Sequence, residues 1–183
     1  VAGSGLAAAV IMGRMRSALR AYALETTDPA EVLGKLDRKM QHFEPDALAT
    51  VLYGVIEPGL GQMRVALAGH FPPVIARPGE AAVLADVPPG SMIGMGLRAR
   101  RPVSTLPVPP GTLLCFYTDG LVERRGELID DGLDRLCRAV TAQPAEAACV
   151  AVMGALVGSE PVRDDIALLM VRRQAGVEGD ADA

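Results

Sequence analysis

Acidic side chains at the ends of two apolar runs are the positions in this sequence best suited to chemistry. Asp119 closes the apolar run of FYTDGLVERR and is followed by Gly120. Asp164 and Asp165 stand just before the apolar run of VRDDIALLM. Taken singly, each has a plain reading: Asp-Gly after a strand makes a turn, and an Asp pair before one makes a solvated loop. Taken together they suggest more. If the two runs are neighbouring antiparallel strands, the end of one and the start of the other share a sheet edge, and the carboxylates converge. Converging carboxylates repel unless a cation binds. An all-oxygen donor set without His or Cys suits hard ions such as Mg²⁺, Mn²⁺ or Ca²⁺.

Other polar positions carry weaker signals. His70, in LAGHFPPV, lies between a strand and a Pro-rich turn and reads first as a structural His that orders the loop. Gly3 and Gly5 of AGSG permit close backbone approach to a ligand at a helix N-terminus, where anions are favoured. RARR, Arg98 to Arg101, reads as an exposed strand edge, with phosphate docking as the alternative. Cys115, Cys137 and Cys149 are odd in number, widely spaced and set among apolar neighbours. They read as buried core thiols rather than a disulfide framework or a zinc site.

Something must position these groups, and the composition says what kind of molecule does it. The 183 residues suffice for a proper core, half of them are hydrophobic, and there is no Trp. That is an aliphatic globule rather than a disordered chain. A net charge of -4 gives no general electrostatic case for nucleic acid. No apolar run approaches the ~20 residues needed to span a bilayer, and LAAAVIM lacks a basic leader. The expected location is cytoplasmic. The chain starts inside an ordered-looking motif, without an initiator Met, as a piece of a longer protein would.

Local patterning divides the chain into helical ends and a stranded middle. SGLAAAVIMGRMRSALRAYAL is helical by propensity, with Ser4 as N-cap; its apolar positions keep helical spacing only loosely, which predicts that much of its surface is covered. A second helix starts at DPAE, where Asp28 caps, Pro29 suits the first turn and Glu31 completes a capping box. Hairpins are predicted for ALATVLYGVIE with QMRVALAG, for PVIAR with AAVLA, and for RRPVSTLPV with TLLCFYT. Thr112 to Tyr117 is apolar on both faces and should be a central strand. DDGLDRLCRAVTA and PAEAACVAVMGALVG read as helices, IALLMVRR as the last strand, and residues 174–183 as a flexible tail. The fold class expected is α+β, with helices packed outside antiparallel sheets.

VAGSGLAAAVIMGRMR, ATVLYGVIE, ALAGHFPPV, MIGM, LLCFYTDGLVERR and DDIALLMV occur in the order and spacing of a known family. Over residues 1–173 the chain resembles the metal-dependent protein phosphatases (PPM, type 2C-like), in their bacterial SpoIIE/RsbU-like branch. The resemblance implies an α/β/β/α layered sandwich, here without its first strands. It implies two Mn²⁺ or Mg²⁺ ions at one end of the β-sandwich and a metal-bridging water that attacks a phosphoserine or phosphothreonine in line. It makes Asp119 and Asp164 metal ligands and catalytic, gives the Val1 backbone carbonyl to a metal, and leaves Asp165, Gly120, Gly3 and His70 as supporting residues. Relatives carry a bridging Asp where this chain would have the residue before Val1. Eukaryotic relatives carry a His, a candidate general acid, near the place of Ala2.

The substrate class implied is a phosphorylated STAS-type anti-sigma-factor antagonist, within sigma-factor regulation, with sensory or regulatory domains in the same parent chain. Without the bridging Asp the two-metal arrangement should not assemble, so this chain is expected to be inactive, and an open sheet edge should invite homodimers. Two rival readings stand beside the phosphatase. One is a non-catalytic regulatory or interaction module with a degraded metal site. The other is a Ca²⁺-stabilised structural sandwich without turnover.

Overall fold

The computed structural model describes residues 1–96, 101–157 and 165–174. In chain order the elements are α1 (Gly5–Ala23), α2 (Pro29–Phe43), β1 (Val51–Ile56), β2 (Gln62–Ala68), β3 (Val74–Ala76), β4 (Val83–Leu84), β5 (Ser104–Pro107), β6 (Leu113–Tyr117), α3 (Asp119–Val122), α4 (Ile129–Ala139), α5 (Ala145–Leu156) and β7 (Leu168–Arg172). The class is α+β with antiparallel sheets and flanking helices, as the sequence implies. The chain divides into two compact units, Val1–Pro72 with Asp86–Pro107 and Pro73–Ala85 with Val108–Ala183.

The first unit is a helix pair on a three-stranded sheet of order β1-β2-β5. Asp28 accepts a hydrogen bond from the Ala30 amide at 2.9 Å, and Pro29 opens the helix, as expected of α2. Val32, Leu33, Leu36 and Met40 then recur on one face and are at most 1% exposed. Each such side chain stabilises the fold by about 1.5–3 kcal/mol through removal from water. The core around Leu33, Leu36 and Met40 takes in Met15 and Ala18 of α1 together with Ala66, Ala68 and Ile93. Central β2, paired on both edges by β1 and β5, alternates least and buries most of this sheet's strands.

Two details of the helices differ from expectation. Glu31 does not complete a capping box. Thr26 Oγ1 accepts the Asp28 amide at 3.1 Å and donates its hydroxyl to Glu31 Oε2 at 2.7 Å, so the threonine stands between the two. Glu31 also meets Lys35 one turn on, at 3.1 Å. Ser4 occupies the N-cap position of α1 but makes no side-chain cap bond. The first half of α1 is uncovered rather than covered: Leu6, Val10 and Met12 are exposed, and only Met15 and Ala18 of this helix are buried. Its loose apolar spacing reflects a helix with a single narrow buried stripe.

The second unit is a four-stranded sheet of order β4-β3-β6-β7 with α5 against β7, α4 against α5 and α3 against α4. Both faces of β6 are apolar, and four of its five residues are buried, as a central strand requires. The hairpins β1–β2 and β3–β4 form as expected. The third expected hairpin does not. β5 pairs with β2 in the first unit, Met63 opposite Leu106, while both edges of β6 are taken by β3 and β7. The intervening Pro109 and Pro110 have no N–H to donate, so no ladder runs through them.

Candidate active site

The end of β6 and the start of β7 meet at one edge of the second unit's sheet. The register runs from Leu113 opposite Arg172 to Tyr117 opposite Leu168. It continues one step further, with the Thr118 amide donating to the Ala167 carbonyl at 3.1 Å. Asp119 therefore leaves the sheet beside the segment that Asp165 and Ile166 occupy. Asp119 and Asp165 are both exposed, and Asp119 Oδ1 accepts from the Gly120 amide at 3.0 Å, which keeps that carboxylate beside its own backbone. The antiparallel neighbourhood inferred from the mirrored acids is present. Asp164 itself lies outside the described residues. Among the described residues, no three His, Cys, Asp or Glu side chains gather into a metal-holding set.

Thr118 makes the join. Its hydroxyl donates to the Asp165 carbonyl at 3.2 Å and accepts from the Ala167 amide at 2.9 Å. Its own carbonyl accepts from the Leu121 amide at 3.1 Å and so begins α3. The Asp-Gly pair is thus neither a simple turn nor a strand end, since Asp119 opens a one-turn helix. Behind it, Gly132 lets α4 approach α3 closely: a Cβ there would fall 1.9 Å from the Val122 carbonyl oxygen.

Burial pushes the Cys115 thiol up to about 12, with a smaller contribution from Cys149 and Cys137. Burial raises the Cys137 thiol and the Tyr117 hydroxyl as well. Cys115 is a buried core thiol as expected, whereas Cys137 and Cys149, on helices α4 and α5, are only half-buried.

In the first unit, the Ala2 amide donates to the Leu48 carbonyl at 2.8 Å and ties the Val1–Gly3 segment to the approach of β1. Gly3 and Gly5 have φ of 98° and 73°, a region that favours glycine, with open space around both. His70 is half-buried, with Nδ1 2.9 Å from the Phe71 carbonyl oxygen, a contact within its own loop.

Of the RARR run, Arg98, Ala99 and Arg100 lie outside the described residues. Arg101 is described, and it corrects the reading of an exposed edge. It is 6% exposed and its Nη2 lies 3.1 Å from Asp37 Oδ2. Its Nη1 donates to the Ser91 carbonyl, and Asp37 Oδ1 accepts the Gly94 amide at 2.8 Å. Charge in a run of arginines signals solvent only when no buried acid waits for one of them. Asp37, at a helix position flanked by Leu36, gives no such warning in the sequence. Gly94, at φ 94°, lets this loop close on Ala47, since a Cβ would lie 2.0 Å from the Ala47 carbonyl oxygen.

The family profile described as "Stage II sporulation protein E (SpoIIE)" matches residues 1–174. Solved structures share the fold. The RsbU and RsbW domains of Rv1364c from Mycobacterium tuberculosis align with a TM-score of 0.82 at 29% identity, over 96% of this chain and 50% of that one. The SiaA-PP2C domain of Pseudomonas aeruginosa aligns with a TM-score of 0.74 at 23% identity, over 93% of this chain and 71% of that one. The PP2C phosphatase domain of SpoIIE from Bacillus subtilis, with a fragment of its regulatory domain, gives 0.74 at 19%, over 93% and 51%. This chain thus spans about half the length of the first and third of these. At their identities the second and third speak for fold alone.

Proposed function

The chain belongs to the SpoIIE family, and from that premise we propose that it is the phosphatase domain of a metal-dependent protein serine/threonine phosphatase. The observation that carries this reading is the β6–β7 register, which brings Asp119 to the same sheet edge as the Asp165 segment. The donors there are carboxylate and carbonyl oxygens, the chemistry that hard divalent ions prefer. Asp119 and Asp164 would hold Mn²⁺ or Mg²⁺, with Asp165 in support. Two such ions, when bound, supply a water of lowered pKa and neutralise the oxygens of a phosphoryl group.

The chain's own groups do the holding and orienting. The Gly120 amide keeps Asp119 Oδ1 against the backbone. The exposure of Asp119 and Asp165 leaves the edge open to a group as large as a phosphorylated side chain on another protein. The buried thiol of Cys115, raised by that burial, takes no part as a nucleophile. The proposed substrate is a phosphorylated STAS-type anti-sigma-factor antagonist, and regulatory domains of the same protein are the proposed partners.

The test is hydrolysis of a generic phosphate ester and of a phosphoserine STAS protein, with Mn²⁺ titrated. Asp119→Asn and Asp164→Asn remove an anionic ligand at nearly constant volume. In a chain that carries the bridging Asp ahead of Val1, each should cut turnover by at least about 100-fold, the scale on which a lost metal ligand acts, while circular dichroism stays unchanged. Near-wild-type turnover by either variant would sink the assigned roles.

A further inference from the structure

We propose that Thr118 is a positioning residue that sets the spacing between Asp119 and the acidic segment before β7. The inference rests on the metal reading of that edge.

An antiparallel ladder continued past Tyr117 would have Thr118 and Ala167 exchange both backbone bonds. Only one of these is made. The Thr118 amide donates to the Ala167 carbonyl, but the Ala167 amide goes to Thr118 Oγ1 at 2.9 Å instead of to the Thr118 carbonyl. The side chain stands in for its own backbone oxygen. That carbonyl is then free to accept the Leu121 amide at 3.1 Å and start α3. The ladder can therefore end and the helix begin at the same residue, and Asp119 becomes the first helical position. The hydroxyl proton goes to the Asp165 carbonyl at 3.2 Å, which pins Asp165.

One hydroxyl thus joins two strand ends whose residues are 47 and 49 positions apart. The join is solvent-accessible, so water could satisfy the same groups at small cost in stability. Water could not hold their spacing. Carboxylates that share cations tolerate little play, because ligand geometry governs affinity. Thr118 therefore acts on metal affinity more than on folding.

Valine replaces the hydroxyl with a methyl at almost the same shape. In the intact protein, Thr118→Val should weaken Mn²⁺ binding by about 10–100-fold, the range typical of groups that orient metal ligands. Binding is read by titration of free Mn²⁺ in electron paramagnetic resonance. Hydrogen exchange at the Ala167 amide should accelerate in the metal-free protein. Thr118→Ser keeps the oxygen and should restore Mn²⁺ affinity to within about threefold of wild type. Thr118→Ala, which adds no methyl contact, serves if the valine variant does not fold. Wild-type Mn²⁺ affinity in the Val or Ala variant overturns the proposal, as does a serine variant as weak as either. Asp119→Asn separates the two readings. If it abolishes Mn²⁺ binding while Thr118→Val leaves it intact, only the role of Thr118 falls. If Asp119→Asn also binds normally, the metal reading of this edge falls and the role of Thr118 with it.

Discussion

Asp37 and Arg101 are both buried, and each is satisfied by more than the other. Asp37 takes the Gly94 amide as well as the guanidinium, and Arg101 also donates to the Ser91 carbonyl. The pair therefore fixes the 91–94 loop to α2 at two backbone points. A buried pair of this kind contributes little relative to apolar residues of the same shape, but removing one partner leaves a desolvated charge. Asp37→Ala should destabilise the protein by about 3–5 kcal/mol. Replacing both residues with apolar ones, as Asp37→Leu with Arg101→Met, should recover most of that loss. Denaturant midpoints at constant slope measure both. A double variant no better than the single one would show that the bonds to Gly94 and Ser91, rather than the charge pair, carry the stability.

At the scale of elements, the entry to α2 is held by a relay of side chains. Thr26 sits between the Asp28 amide and the Glu31 carboxylate, and Lys35 meets both Glu31 and Glu25. The Thr26 hydroxyl, then Lys35, holds the Glu31 carboxyl below its ordinary value of 4.5, and Glu25 first and Glu31 next raise Lys35 above 10.5. The sign follows for the acid. A carboxyl whose folded value is depressed contributes stability that is present above its unfolded value and lost as pH falls through the folded one. Thr26→Val should thus remove stability that is present at pH 7, and the gap between variant and wild type should narrow as pH falls below about 4.5, to what the lost bond from the Asp28 amide contributes. Thermal melts of both proteins from pH 7 to pH 3 check this, and parallel curves would show that Glu31 does not feel Thr26. The effect should be small, since these groups are exposed.

At the scale of the molecule, the proposed metal edge links activity to stability. Ions that bind the folded chain and not the unfolded one stabilise it by mass action, by about 2.7 kcal/mol at a hundred times the dissociation constant. Mn²⁺ or Mg²⁺ should raise the melting temperature in a concentration-dependent way, and a chelator should reverse the rise, removing turnover with it where the bridging Asp precedes Val1. Ca²⁺ that stabilises equally well while Mn²⁺ supports no turnover would favour the structural-sandwich reading over the phosphatase. No described helix is long and apolar enough to cross a membrane.

Much of this architecture was legible from residue order alone. Two-sided apolar character marked β6 as central, and Asp119 stood visibly at its end. The hairpins β1–β2 and β3–β4 could be read because a short turn leaves a strand few partners but its neighbour. The capped start of α2 is equally local. The tertiary structure decided what depends on distant partners. β5 could face β6 by every local sign, yet β2 had a free edge for it and β6 had none. Arg101 looked solvated within a run of arginines until Asp37, 64 residues earlier, was brought against it. Nothing in the sequence singled out Thr118, and only the arrival of β7 gave its hydroxyl both an amide and a carbonyl. The physical reason is common to all three. Periodicity and propensity record which side of a segment leaves water, but a hydrogen bond or ion pair is specified by both partners. The second partner is supplied by the fold.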